Sequence, residues 1–174
     1  YKGVNFLDTA EMYPVPPNVD TYCDTERIIG NWISRNESNR SDIVLMTKIA
    51  GSGLKYIRNA GPITADAIAN ALTYSLERLK TDYIDVYQLH WPNRVTPHFG
   101  KHWPDGADPT KTSREKELDG MRDILLGIKR ALDEGKIRHW GLSDDTPWGI
   151  HAFLTLCKEL DMPLPVSIQN EFSL

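Results

Sequence analysis

Five short apolar runs recur along the chain, and a stretch with helical periodicity follows each of the first four. The runs are Asn5–Thr9, Ile43–Lys48, Ile84–His90, Ile137–Ser143 and Val166–Asn170. They are mostly continuous rather than alternating, as expected of parallel strands covered on both faces. Between them, Asp24 stands where it can cap a helix with Ile28, Ile29, Trp32 and Ile33 as its apolar stripe. Thr64 can cap a helix over Ala65–Leu79, with Ile68, Leu72, Leu76 and Leu79 on one face. Met121, Leu125, Ile128 and Leu132 form the next stripe, with Gly135 as its stop. Thr146-Pro147 reads as an N-cap followed by proline at the first helical position, and it opens a helix with Phe153, Leu156 and Leu160 inside. Strand alternating with helix means an α/β chain with a parallel sheet.

Two architectures satisfy that alternation. One is an open doubly wound sheet of five strands. The other is a stretch of a (β/α)₈ TIM barrel, which takes about 250 residues to close. No G-x-G-x-x-G favours the first; Gly51-Ser52-Gly53 lacks the third glycine. The length of 174 residues suffices for a core.

Composition narrows the function classes. Lys plus Arg is 20 and Asp plus Glu is 24, for a net charge of −4, so no basic surface for nucleic acid is expected. No apolar stretch reaches the roughly 18 residues of a membrane span, and no signal peptide is visible. Cys23 and Cys157 lack metal-ligand spacing and read as two reduced thiols, which predicts a cytoplasmic protein.

In either architecture function gathers at the carboxyl ends of the strands. Those ends carry Asp8 and then Tyr13, Lys48, His90, Ser143 with Asp144, and Gln169 with Asn170. The first three ends thus place an acid, a phenol, an amine and an imidazole on one face. A phenol near pH 7 is a poor acid, with a pKa of about 10. An adjacent ammonium lowers that pKa, a carboxylate keeps the ammonium charged, and an imidazole orients a substrate oxygen. Such a set donates a proton to a carbonyl oxygen gaining negative charge. The matching hydride must come from a nicotinamide, because side chains cannot supply it. A rival reading takes Asp8 and His90 as ligands of a metal-dependent hydrolase, but it leaves Lys48 and Tyr13 without a role.

V-N-F-L-D-T-A-E-M-Y, M-T-K-I, Y-Q-L-H-W-P, K-I-R-H-W-G-L-S and S-I-Q-N, in that order, resemble the aldo-keto reductase family. The prolines after Tyr13 and the long insert after His90 are most similar to its Tas-like bacterial branch. The resemblance implies a (β/α)₈ barrel of which this chain carries strands two to six, so that residues 1–174 form one partial NADP-dependent domain. It implies NADPH bound at the barrel mouth and a small carbonyl substrate. Tyr13 would be the general acid, Lys48 and Asp8 would tune it, and His90 would orient the carbonyl. Ser143 and Gln169 would meet the nicotinamide carboxamide. Asp144 stands where the family usually has Asn; a carboxylate only accepts hydrogen bonds, so weaker nicotinamide binding is expected, although Asp144 could also serve as a helix cap. The same barrel serves channel β-subunits, which act as nucleotide-binding regulatory proteins, and that is the alternative reading.

Trp91 to Glu115 is too long for a strand–helix connection of about 2–6 residues. Its Trp91, Phe99 and Trp103 predict an aromatic wall for the substrate pocket. His98 and His102 fall in Gly- and Pro-punctuated sequence and predict no metal site.

Overall fold

The computed structural model describes residues 3–96 and 113–171. Its elements run β1 (Phe6–Asp8), α1 (Asp24–Arg35), β2 (Val44–Ile49), α2 (Ala65–Leu79), β3 (Ile84–Leu89), α3 (Arg114–Asp133), β4 (Ile137–Ser143), α4 (Pro147–Glu159) and β5 (Ser167–Gln169). The five strands are parallel and lie in chain order, β1-β2-β3-β4-β5.

The sheet curls. Asp8 stands on one edge strand and Gln169 on the other. In a flat sheet four spacings of about 4.8 Å would hold them roughly 19 Å apart. The Gln169 Nε2 instead donates to Asp8 Oδ2 at 3.1 Å. A sheet curled into a half-barrel lets these side chains meet across its concave face, so the architecture is an incomplete (β/α)₈ barrel and not an open sheet.

The core fills the space between the strands and the helices. Leu45, Ile49, Tyr87, Trp140 and Leu142 meet Ile68, Leu72, Leu125, Ile128, Phe153 and Leu156 there. Thr64 caps α2 by accepting from the Ala67 N–H at 3.1 Å, and Thr146 caps α4 by accepting from Gly149 at 3.2 Å. Leu160 is 39% exposed rather than inside, because α4 ends at Glu159 and Leu160 is already its C-terminal cap.

Helix α1 departs from the expected stripe. Ile28 is 67% exposed and Trp32 44%, while Glu26, Gly30 and Ile33 face inward. Two contacts fix this rotation. The Glu26 carboxylate accepts from Thr47 Oγ1 and Arg78 Nε, both at 2.6 Å. Gly30 lies against the end of α2 so closely that a Cβ would stand 2.0 Å from the Arg78 carbonyl oxygen. Asp24 does not cap this helix; Cys23 holds the cap position in a left-handed conformation (φ 69°), and Asp24 pairs with Arg27 at 2.7 Å inside the first turn.

Candidate functional site

Strand register brings the polar ends into line. Lys48 stands opposite Gln88, Ser143 opposite Gln169, and Asp8 opposite Met46. Alternation along β2 sends Thr47 outward to Glu26 and Lys48 inward. At the carboxyl ends a cleft of about 430 Å³ opens, lined by Tyr13, Lys48, His90, Ser143, Asp144, Gln169, Asn170 and Glu171. That volume suits a small-molecule site.

Lys48 is 1% exposed and pairs with Asp8, whose carboxylate is a third exposed. Its Nζ also donates to the Thr9 carbonyl at 2.9 Å and stands 5.0 Å from the centre of the Tyr13 ring. The edge of the Tyr13–His90 pair closes the group, with ring centres 5.6 Å apart. Asp8, Tyr13, Lys48 and His90 therefore come together as the sequence predicted, and Ser143, Asp144 and Gln169 line the same cleft.

The segment bearing Tyr13 is held by residues that the sequence reading missed. The Glu11 N–H donates to the Lys48 carbonyl at 3.0 Å, and its carboxylate accepts from the Ala50 N–H at 3.0 Å and from the Arg58 guanidinium at 2.6 Å. Ala10, Met12, Ala50, Ile57 and Trp91 form a small second core beneath this segment. Nothing local marks Glu11 and Arg58 as partners, since 47 residues separate them.

Electrostatics at the cleft correct one expectation. Tyr13 is not tuned downward. Burial holds its hydroxyl above the ordinary phenol value, and the charges of Asp8 and then Asp144 add to the rise. The Lys48 ammonium, paired with Asp8, does not reverse that rise. Lys48 is itself pulled down by burial, opposed by its hydrogen bond to Asp8 and the charge there. His90 is pushed down to about 3, first by burial and then by the Lys48 charge. The cleft thus presents a protonated phenol and a neutral imidazole near pH 7.

Trp91 is also corrected. It is 5% exposed, donates from Nε1 to the Ser52 carbonyl at 3.0 Å, and packs in the small second core instead of lining the cleft. Indole burial with its N–H satisfied is the stable outcome next to an apolar cluster. Phe99 and Trp103 lie outside the described residues. The helix cap is Thr146, so Asp144 keeps its place at the cleft. Among the described residues no group of three or more His, Cys, Asp or Glu side chains could hold a metal ion. No helix there is long and apolar enough to cross a membrane.

Residues 2–174 match the family model described as Aldo/keto reductase family. The chain belongs to this family. Among curated relatives, "Protein tas" of Escherichia coli (strain K12) is 40% identical over 179 residues, covering 99% of this chain and 49% of that protein. An "Aldo-keto reductase" of Babesia bovis is 37% identical over 138 residues, covering 77% of this chain and 48% of that protein. A "Probable voltage-gated potassium channel subunit beta" of Oryza sativa subsp. japonica is 26% identical over 172 residues, covering 99% and 43%. The chain thus spans about half the length of the curated relatives it matches.

Proposed function

We propose that the protein is an NADPH-dependent reductase of aldehydes or ketones, with residues 1–174 forming part of its barrel domain. The observation that carries this reading is one cleft lined both by Tyr13, Lys48 and His90 and by Ser143, Asp144 and Gln169. The hydroxyl, carboxylate and amide groups of the second set fit the donor and acceptor pattern of a carboxamide. A nicotinamide held there supplies the hydride.

The chain's own residues do the rest. Neutral His90 directs the substrate oxygen toward Tyr13. Tyr13 keeps its proton through neutral pH and gives it to that oxygen as charge develops there. Lys48, fixed by Asp8 and the Thr9 carbonyl, stabilises the phenolate that remains. Asp8 in turn is steadied by Gln169, which links the proton-donating side of the cleft to the cofactor side. In a dry site such preorganised groups act at little reorganisation cost.

A second reading has support in the likeness to proteins named as potassium channel β-subunits. On that reading the protein is a nucleotide-binding regulatory subunit with little turnover. NADPH oxidation by the full-length protein against a panel of aldehydes and ketones separates the two. Turnover of at least one carbonyl is expected. Tight NADPH binding without turnover on any of them would transfer the conclusion to the regulatory reading.

A further inference from the structure

The segment leaving β3 ties three loops together. The Asn93 side-chain amide exchanges hydrogen bonds with the backbone of Ile63, accepting from its N–H at 2.7 Å and donating to its carbonyl at 2.8 Å. Trp91 is bound to Ser52 in the same β2–α2 connection. Arg94 therefore projects from a fixed base, and it reaches the other way, to the turn between β4 and α4.

Its Nη2 donates to Asp145 Oδ1 and to Thr146 Oγ1, the latter at 3.2 Å, and its guanidinium carbon stands 5.3 Å from the centre of the Trp148 ring. Both charges are deeply placed, with side-chain exposures of 11% for Arg94 and 3% for Asp145. Gly149 makes room for them: a Cβ there would lie 1.9 Å from Arg94 Nη2 and 2.1 Å from Asp145 Oδ1. Burial pushes the Asp145 carboxyl up, and the Arg94 charge works against that rise.

The gripped turn carries Ser143 and Asp144. Asp144 adopts a left-handed conformation (φ 48°), which costs free energy for a residue with a Cβ and persists only where the surroundings impose it. Its N–H donates to the Gln169 carbonyl at 3.0 Å, and the Asp145 carbonyl accepts from Asn170 Nδ2 at 3.1 Å. The Arg94–Asp145 pair and these two bonds together fix where Ser143, Asp144, Gln169 and Asn170 face the cleft.

We propose that Arg94 is a positioning residue, which holds the Ser143–Asp144 turn at the cleft through its clasp on Asp145 and so sets the affinity for the nicotinamide end of the cofactor. The cofactor half of this statement rests on the proposed reductase function; the clasp itself does not.

The test uses the full-length protein and two readouts on Arg94→Ala, Arg94→Lys and Asp145→Asn. The first is hydrogen exchange of the Asp144 amide without cofactor, with the Leu142 amide in β4 as internal reference. Loss of one buried charge-assisted bond should speed Asp144 exchange about tenfold or more in Arg94→Ala, with Leu142 unchanged and partial recovery in Arg94→Lys. The second is NADPH affinity beside kcat. NADPH affinity should weaken about tenfold in Arg94→Ala while kcat at saturating NADPH stays within about twofold. Unchanged Asp144 exchange in a folded variant overturns the clasp. Faster exchange with unchanged NADPH affinity overturns its role toward the cofactor. Should Arg94→Ala fail to fold, Arg94→Lys and Asp145→Asn decide by the same readouts. A protein that binds no NADPH before any substitution sinks the reductase reading, and the exchange result still decides whether Arg94 holds the turn.

Discussion

The two ends of the sheet each hold a paired aspartate, and they use it differently. At the amino ends of the strands, Asp85 is ion-paired with Arg40 at 2.9 Å and accepts from Arg138 at 2.8 Å and from the Leu45 N–H at 3.0 Å. The same two guanidinium groups sandwich the Tyr83 ring, each 3.9 Å from its centre. The Asp85 carboxylate thus carries three partners and is almost out of solvent, and three strands are stitched together by the result. At the carboxyl ends Asp8 holds, among the described residues, Lys48 and Gln169, and it stays a third exposed. Among the described residues two of the three Lys48 N–H bonds go to Asp8 and Thr9, and one is left for the cleft that Lys48 lines. A saturated ion pair stabilises; an unsaturated one beside a cleft can act on something bound there. This division matches the general rule that barrels keep stability at one face and chemistry at the other.

Substitutions at the two ends should therefore separate stability from activity. The largest effect on stability is expected from Asp85→Ala. It leaves Arg40 buried without its counter-charge and should cost about 3–5 kcal/mol in a urea titration. NADPH affinity of the protein that remains folded should stay within about twofold, and a large loss of affinity would erase the contrast. Asp8→Asn should cost less stability, about 1–3 kcal/mol, since its carboxylate is partly solvated, but it should depress turnover markedly because Lys48 loses what holds it charged. Equal stability loss at Asp8 and Asp85 with turnover intact would make the mouth pair merely structural.

His90 sharpens the contrast through pH. Its folded-state value of about 3 lies below the unfolded value of about 6.5. Between those limits the unfolded chain binds a proton that the folded chain does not. Stability due to this group is thus complete above pH about 6.5 and is lost as pH falls toward 3. His90→Gln should flatten that part of the stability–pH curve, as read by thermal melts across the range. An unchanged curve would mean that His90 is solvated. The smallest effect is expected at Asp144→Asn, where regaining a donor should tighten NADPH roughly two- to tenfold.

How much of this was legible in the sequence depends on the range of the interaction. Strands β2 and β3 were readable because burial on both faces leaves continuous apolar runs. The edge strands β1 and β5 are not covered on both faces as expected, since each has a neighbour on one side only. The caps at Thr64 and Thr146 were readable because they are made within three residues. The cluster of Asp8, Tyr13, Lys48 and His90 was readable because parallel strands deliver their carboxyl ends to one side. The rotation of α1 was not, since its inward face is set by Glu26 meeting Arg78, 52 residues away. The same holds for Arg94 and Asp145, 51 residues apart. The curl of the sheet rests on a contact across 161 residues. The direction in which Tyr13 moves was misread because it is a sum over burial and two carboxylates, and one of them, Asp144, comes from a distant loop.

The central claim is that Tyr13 delivers the proton. Its most direct test is steady-state carbonyl reduction by the full-length protein and by its Tyr13→Phe variant, with NADPH affinity measured on both. A fall in kcat of about 10²–10⁴-fold with NADPH affinity within about twofold is the predicted result. A variant that keeps its kcat would contradict the assignment, and so would one whose lost turnover is matched by lost NADPH binding.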